Sequence, residues 1–360
     1  MSVALRFPLR LRVMLFSFFT PRMRSAAAAL VLAAAACTPP RLAPEIAAGR
    51  VVADTVHSTA LADNPLGDSP HRAVSVYLPP DYGRTSRRYP VVYLLHGFDG
   101  GPSQWTGRFS LRTAMDSLIS SGAVRPMIVV MPDGGNRFGG SFFANAAATG
   151  RWGIFLVREV VGHVDSRYRT LARPASRGIA GWSMGGHAAL HRAAQHPEVF
   201  GAAYALSPCC LGPELLGDFG DAPRAAALAL RTPDEVAAAP FGSKLLVAVA
   251  ALHSPDPSHP LGLALPFAPG REDALARWNE HTPARLAQSY AANRVRPRIA
   301  FDVGTRDGLR HIPPTARALH AALADAGVAH TFEEYDGTHG SHIAERMRTR
   351  VFPFFSRVLR

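Results

Sequence analysis

Lysine is all but missing from this chain of 360 residues: Lys244 is the only one, so the formal net charge of +12 is carried by arginine. Cysteine is scarce too, at three residues, Cys37, Cys209 and Cys210. Three cysteines make no disulfide framework, and an adjacent pair could close only through a strained ring. Cys209 and Cys210 are therefore expected to be buried thiols. No second Cys or His pair stands at ligand spacing, so neither a zinc site nor any other metal or cofactor is expected. No basic cluster is interleaved with stacking aromatics, which sets nucleic acid aside as a partner. There is no repeat at a solenoid period. With 48% hydrophobic residues the composition is that of a globular protein rather than a disordered one.

Acidic residues are absent before Cys37, while Arg6, Arg10, Arg12, Arg22 and Arg24 all precede it. Met23-Arg24-Ser25 leads into an apolar run, Ala26 to Ala36. A basic start, a short apolar stretch and small residues at its end describe a secretory leader. The run is too short to span a bilayer comfortably. Residues 1–36 are accordingly expected to be a signal peptide. The small residues before Cys37 resemble a lipobox, which would make Cys37 a lipidated new N-terminus, tethered by residues 37–48 to a domain over 49–358. Without the leader's arginines the formal charge falls to about +7. Export to the cell envelope, with membrane association through that lipid, is the expected location.

From residue 50 onward, short apolar runs alternate with helical patterns. Val74–Leu78, Val91–Leu95, Met127–Met131, Gly178–Gly181, Ala202–Leu206, Arg298–Val303 and His330–Tyr335 read as strands, with an edge strand within Val51–Leu61. Leu111–Ser121, Trp152–Tyr168, Met184–His196, Pro314–Ala326 and Ser341–Val358 read as helices. Strand–helix alternation implies an α/β fold, a mostly parallel sheet covered on both faces. Residues 211–296 break the rhythm. Their Ala-rich pieces, such as Ala222–Arg231 and Arg271–Trp278, predict a helical insertion over the sheet's carboxyl edge.

The chemistry starts at Gly181-Trp182-Ser183-Met184-Gly185-Gly186, between a strand and a helix. G-x-S-x-G in that setting is a nucleophile elbow, which lifts a serine hydroxyl above the sheet edge. A hydroxyl is a weak nucleophile at neutral pH and needs a base, which in turn needs an orienting acid. The chain order Ser–Asp–His points to the loops after the next strands. Asp307, in Gly304-Thr305-Arg306-Asp307-Gly308, is the expected acid; Asp302 is a rival that lies within its strand, where a carboxylate bonded to neighbouring backbone is the expected role. His339, in Asp336-Gly337-Thr338-His339-Gly340, is the expected base, with His342 as runner-up. The backbone N–H groups of Met184 and Phe98 are the expected oxyanion donors. His96 is assigned to the structure of its turn. Trp105, Asn145 and Trp152 are candidate substrate contacts.

Together, Val76-Tyr77-Leu78-Pro79, Tyr93-Leu94-Leu95-His96-Gly97, Pro132-Asp133-Gly134, the elbow, Gly304-Thr305-Arg306-Asp307 and Tyr335-Asp336-Gly337-Thr338-His339 resemble the esterase D ("putative esterase") family of α/β-hydrolases. Feruloyl esterases, S-formylglutathione hydrolases, enterochelin esterases and mycolyltransferases are its relatives. The resemblance runs over about residues 50–355. It implies the α/β-hydrolase fold, a Ser183–His339–Asp307 triad, and Phe98 and Met184 as oxyanion donors. It also implies a serine esterase acting on a small-molecule or carbohydrate-linked ester. An export signal disfavours the formylglutathione reaction, which is cytosolic. Two departures stand out: Gly340-Ser341-His342 follows the histidine where family members often carry an aromatic residue, and the insertion has its own sequence. Acyl transfer to a sugar or other alcohol is the alternative reaction, and a non-catalytic surface-binding lipoprotein on the same scaffold is the alternative class.

Overall fold

A computed structural model describes residues 48–360. The expected leader, the lipidation site Cys37 and most of the tether lie outside the described residues. Eight strands form one sheet: β1 (Arg50–His57), β2 (His71–Leu78), β3 (Val91–Leu95), β4 (Ile128–Pro132), β5 (Arg177–Trp182), β6 (Ala202–Leu206), β7 (Arg298–Gly304) and β8 (His330–Tyr335). Their order is β1-β2-β4-β3-β5-β6-β7-β8. β2 is antiparallel to both β1 and β4, and all other neighbours run parallel. This is the α/β-hydrolase fold.

The continuous apolar runs are strands because both of their faces are covered. Alternate residues of β3 enter different cores: Val91, Tyr93 and Leu95 pack on one side, Val92 and Leu94 on the other. Helix α1 (Leu111–Ser120) and the C-terminal helical stretch, residues 343–358, cover the second side. The first side is covered by α2 (residues 152–167, π-helical over Phe155–Val160), α3 (Met184–Gln195) and α9 (Ile312–Asp325). The C-terminal stretch starts two residues later than the sequence pattern suggests, because His342 sits at φ 61°, a left-handed conformation that cannot continue a helix.

Between β6 and β7 lie a short 3-10 turn (Pro213–Asp218) and five helices: α4 (Asp221–Ala229), α5 (Pro233–Ala238), α6 (Phe241–His253), α7 (Glu272–Asn279) and α8 (Pro283–Ala291). Two of them begin at Thr-Pro. The threonine hydroxyl accepts the N–H three residues on, and proline takes the first position, where no N–H is needed. Helix α6 is apolar around most of its circumference, with every residue from Leu245 to Ala251 buried. The insertion rests on the loops at the carboxyl ends of three strands. The Lys244 ammonium lies 3.2 Å from the Asp99 carboxylate after β3. Asp234 pairs with Arg137 after β4, and Asp218 Oδ2 lies 2.6 Å from His311 Nδ1 after β7.

Candidate active site

The turn from β5 into α3 fixes Ser183 before any partner is considered. Ser183 has φ 57° and ψ −116°, a strained backbone for a residue with a side chain. Its neighbours make the turn feasible. A Cβ at Gly181 would run into the Gly185 backbone, and one at Gly185 into the Leu95 carbonyl. The Ser183 backbone is clamped from β6: its N–H donates to the Leu206 carbonyl at 2.9 Å, and its carbonyl accepts the Cys209 N–H at 3.3 Å. The hydroxyl therefore leaves the turn in one direction, towards the loop after β8.

That loop brings His339. Its Nε2 is 2.9 Å from Ser183 Oγ, and its Nδ1 is 2.7 Å from Asp307 Oδ2. Asp307 has no exposed side chain, whereas the imidazole keeps 22% of its surface open. The other Asp307 oxygen accepts the Leu309 N–H at 2.9 Å, so the carboxylate faces histidine in a fixed orientation. Ser183, His339 and Asp307 thus form one hydrogen-bonded line from three strand-end loops.

Two backbone N–H groups on neighbouring turns have no acceptor among the described residues. Gly97 N–H is taken by Gln104 Oε1 at 2.8 Å and Asp99 N–H by the Gly139 carbonyl at 2.8 Å, leaving the Phe98 N–H between them unpaired among the described residues. The first hydrogen bond inside α3 runs from His187 N–H to the Ser183 carbonyl, so Met184 N–H has no helical acceptor. Beside the Phe98 loop, a cavity of about 530 Å³ is lined by Asp99, Gly100, Gln104, Arg108 and Asp133 among others.

The other candidates take different places. Asp302 is fully buried and accepts from Tyr204 Oη at 2.7 Å and Arg346 Nε at 2.8 Å, so its partners are side chains and not the expected backbone. Burial pushes its pKa up to about 6, against the pull of Arg346. His342 is exposed and 2.9 Å from Glu345. His96 bridges two turns: Nε2 accepts the Gly134 N–H at 2.9 Å, and Nδ1 lies 2.8 Å from the Gly97 carbonyl. Burial holds this ring below the usual histidine range, in keeping with a neutral structural role. Trp105 and Trp152 are fully buried in opposite cores. As side chains with no open surface they hold the two helical layers, where no substrate could reach them without rearrangement. Asn145 is exposed on a small hairpin, where its Oδ1 accepts the Ile154 N–H at 3.1 Å. Cys209 and Cys210 are buried free thiols. No group of metal-binding side chains is arranged to hold an ion among the described residues.

Comparison with known proteins follows the geometry. Residues 69–343 match the family model described as "Putative esterase". The chain belongs to this esterase family. Over 152 residues, 41% of this chain and 30% of the relative, it is 36% identical to an esterase of Mycobacterium tuberculosis. Over 156 residues, 41% of this chain and 21% of the relative, it is 33% identical to an endo-1,4-β-xylanase/feruloyl esterase of Xylanibacter ruminicola. The chain thus spans less than a third of the length of these curated relatives. Among solved structures, a ferulic acid esterase superposes with a TM-score of 0.60 at 22% identity, over 86% of this chain and 99% of that one.

In this member of the esterase family, Trp182 has a part that sequence reasoning missed. Its indole Nε1 donates to the His339 carbonyl at 2.8 Å, and its ring lies 5.1 Å from the imidazole. The aromatic ring beside His339 thus comes from the elbow itself. Arg108 lies over the Trp182 ring at 5.6 Å and lines the open cavity beside it. An aromatic residue inside the elbow motif was the available signal.

Proposed function

We propose that the protein hydrolyses carboxylic esters through an acyl-enzyme on Ser183. The observation that carries this is the continuous line Asp307–His339–Ser183, with bonds of 2.7 and 2.9 Å. His339 Nε2 takes the Ser183 proton as Oγ attacks the ester carbonyl. Asp307, bonded to Nδ1, fixes the tautomer and stabilises the imidazolium. The carbonyl oxygen, now negative, accepts from the unpaired N–H groups of Phe98 and Met184. When the intermediate collapses, the C–O bond to the alcohol breaks and His339 Nε2 gives its proton to the leaving oxygen. Water then attacks the acyl-enzyme by the same route, releasing the acid and restoring Ser183.

The alcohol side of the substrate is assigned to the cavity beside Phe98. Asp99, Gln104, Arg108 and Asp133 there offer donors and acceptors suited to a hydroxyl-rich, carbohydrate-linked alcohol. The likeness to a xylanase/feruloyl esterase makes an aromatic acyl group the first to test. Export and a lipid anchor on Cys37 belong to the same proposal and rest on the pattern of residues 23–37. Loss of radiolabelled palmitate incorporation in a Cys37→Ser variant tests the anchor.

The decisive experiment pairs a fluorophosphonate probe with methyl ferulate and a series of p-nitrophenyl esters. The wild type should label once and turn over esters. Ser183→Ala should label not at all and lose at least about 10⁴-fold in kcat. Residual turnover close to wild type would refute the assignment.

A further inference from the structure

The flank of α3 that carries His187, His191 and Arg192 faces a second cavity of about 290 Å³, which none of Ser183, His339 and Asp307 lines. His253 at the end of α6, His281 after α7 and Asn145 of the hairpin complete most of the wall. The imidazoles stack in two pairs, His187 on His191 at 4.2 Å and His253 on His281 at 3.8 Å. No carboxylate lines the cavity.

Arg192 is the unusual member. Only 7% of it is exposed, and its Nε has no hydrogen-bond partner among the described residues. Burial alone pulls its guanidinium down to about 10, with no carboxylate acting the other way, so it keeps its charge at neutral pH. His253, 8% exposed, likewise leaves Nδ1 without a partner. A buried charge without a counter-charge costs several kcal/mol. The cost is recovered when the counter-ion comes from outside.

The surroundings favour an anion over a cation. A metal ion would meet the Arg192 charge, and no three ligands converge among the described residues. His187 gives its one N–H to the Cys209 carbonyl at 3.1 Å, but the neutral rings of His191, His253 and His281 and the Asn145 amide can each donate an N–H, and a guanidinium fork matches two oxygens of one acid group. We propose that this cavity binds a carboxylate or phosphate group, with Arg192 as its anchor. The space left around that group is enough for a small attached body, such as one ring. The site does not depend on the hydrolytic reading, because binding is measured without turnover.

The test is a thermal-shift and calorimetric titration of the full chain with inorganic phosphate and with benzoate, at ionic strength matched by sodium chloride. The wild type and Ser183→Ala should show the same saturable rise in melting temperature, whichever way the esterase assays turn out. Arg192→Met should fold, free of its unpaired charge, and should bind at least tenfold more weakly. Arg192→Lys keeps the charge without the fork and should bind with intermediate strength, so it serves if the methionine variant does not fold. Stabilisation by phosphate alone would identify a free anion as ligand; stabilisation by benzoate as well would identify an acid carried on a ring. Equal effects of phosphate, benzoate and chloride, undiminished binding in both Arg192 variants, or stabilisation by nickel in place of the anions would overturn the proposal.

Discussion

Trp182→Phe separates the positioning of His339 from the chemistry of Ser183. Phenylalanine keeps an aromatic ring beside the imidazole and removes the indole N–H that donates to the His339 carbonyl at 2.8 Å. A hydrogen bond of this kind is worth roughly 0.5–1.5 kcal/mol net. If that energy holds the histidine loop in line with Ser183, its loss lowers kcat by about twofold to tenfold. KM should hardly move, because the indole N–H points at the loop and not at the ester. Trp182 is 8% exposed, so trimming it also lowers global stability by roughly 1–3 kcal/mol. The assay must therefore count competent sites. Titration with a fluorophosphonate gives the active fraction, and kcat per labelled site is compared at a temperature well below both melting points. Unchanged kcat per site, or a change confined to KM, would refute the positioning role.

Stability should fall on acidification because buried histidines stay neutral. Burial pushes His187 down to about 3, and His96, His191 and His253 in the same direction. The unfolded chain takes up protons near pH 6.5 while the native chain does not, so the stabilisation is full above that pH and shrinks below it, by about 2 kcal/mol at pH 5 for His187 alone. Urea melts of His187→Asn should show a shallower loss between pH 7 and pH 5 than the wild type; parallel slopes would contradict this. Gly185→Ala drives a Cβ into the Leu95 carbonyl with neither backbone free to move, and should yield no soluble folded protein, as checked by circular dichroism. Thr232→Ala removes the side-chain half of a capping box, leaving the backbone N–H at 232 to donate to Glu235, and should cost about 1 kcal/mol, seen as faster proteolysis near α5 with kcat unchanged.

The strands that the sequence marks out most sharply are those buried on both faces. Val91–Leu95 and Ala202–Leu206 are continuously apolar because helices cover each side, and their limits agree with the structure to the residue. β2 begins three residues before its apolar alternation, since His71-Arg72-Ala73 has only an edge strand, β1, on one side. Helix α6 was invisible to a search for amphipathic faces because it has hardly a polar one. The residues of the Ser183–His339–Asp307 hydrogen-bonded line were legible because fold order and loop position constrain them together. Trp105 and Trp152 misled because an aromatic residue near a site and one in a core look alike in sequence. What a side chain meets across the fold, such as Trp182 at His339, depends on loops far apart in sequence that the sheet brings together.

The scarcity of lysine has a practical side. The one side-chain amine of the chain, Lys244, sits on the insertion and pairs with Asp99, next to the Phe98 N–H. Only 14% of that side chain is open to solvent. An amine-reactive dye would therefore mark a single internal position, and would do so fastest when the insertion lifts from the β3 loop. The chain thus carries one side-chain reporter of the contact between the insertion and the β3 loop, readable by labelling rate with no engineered residue.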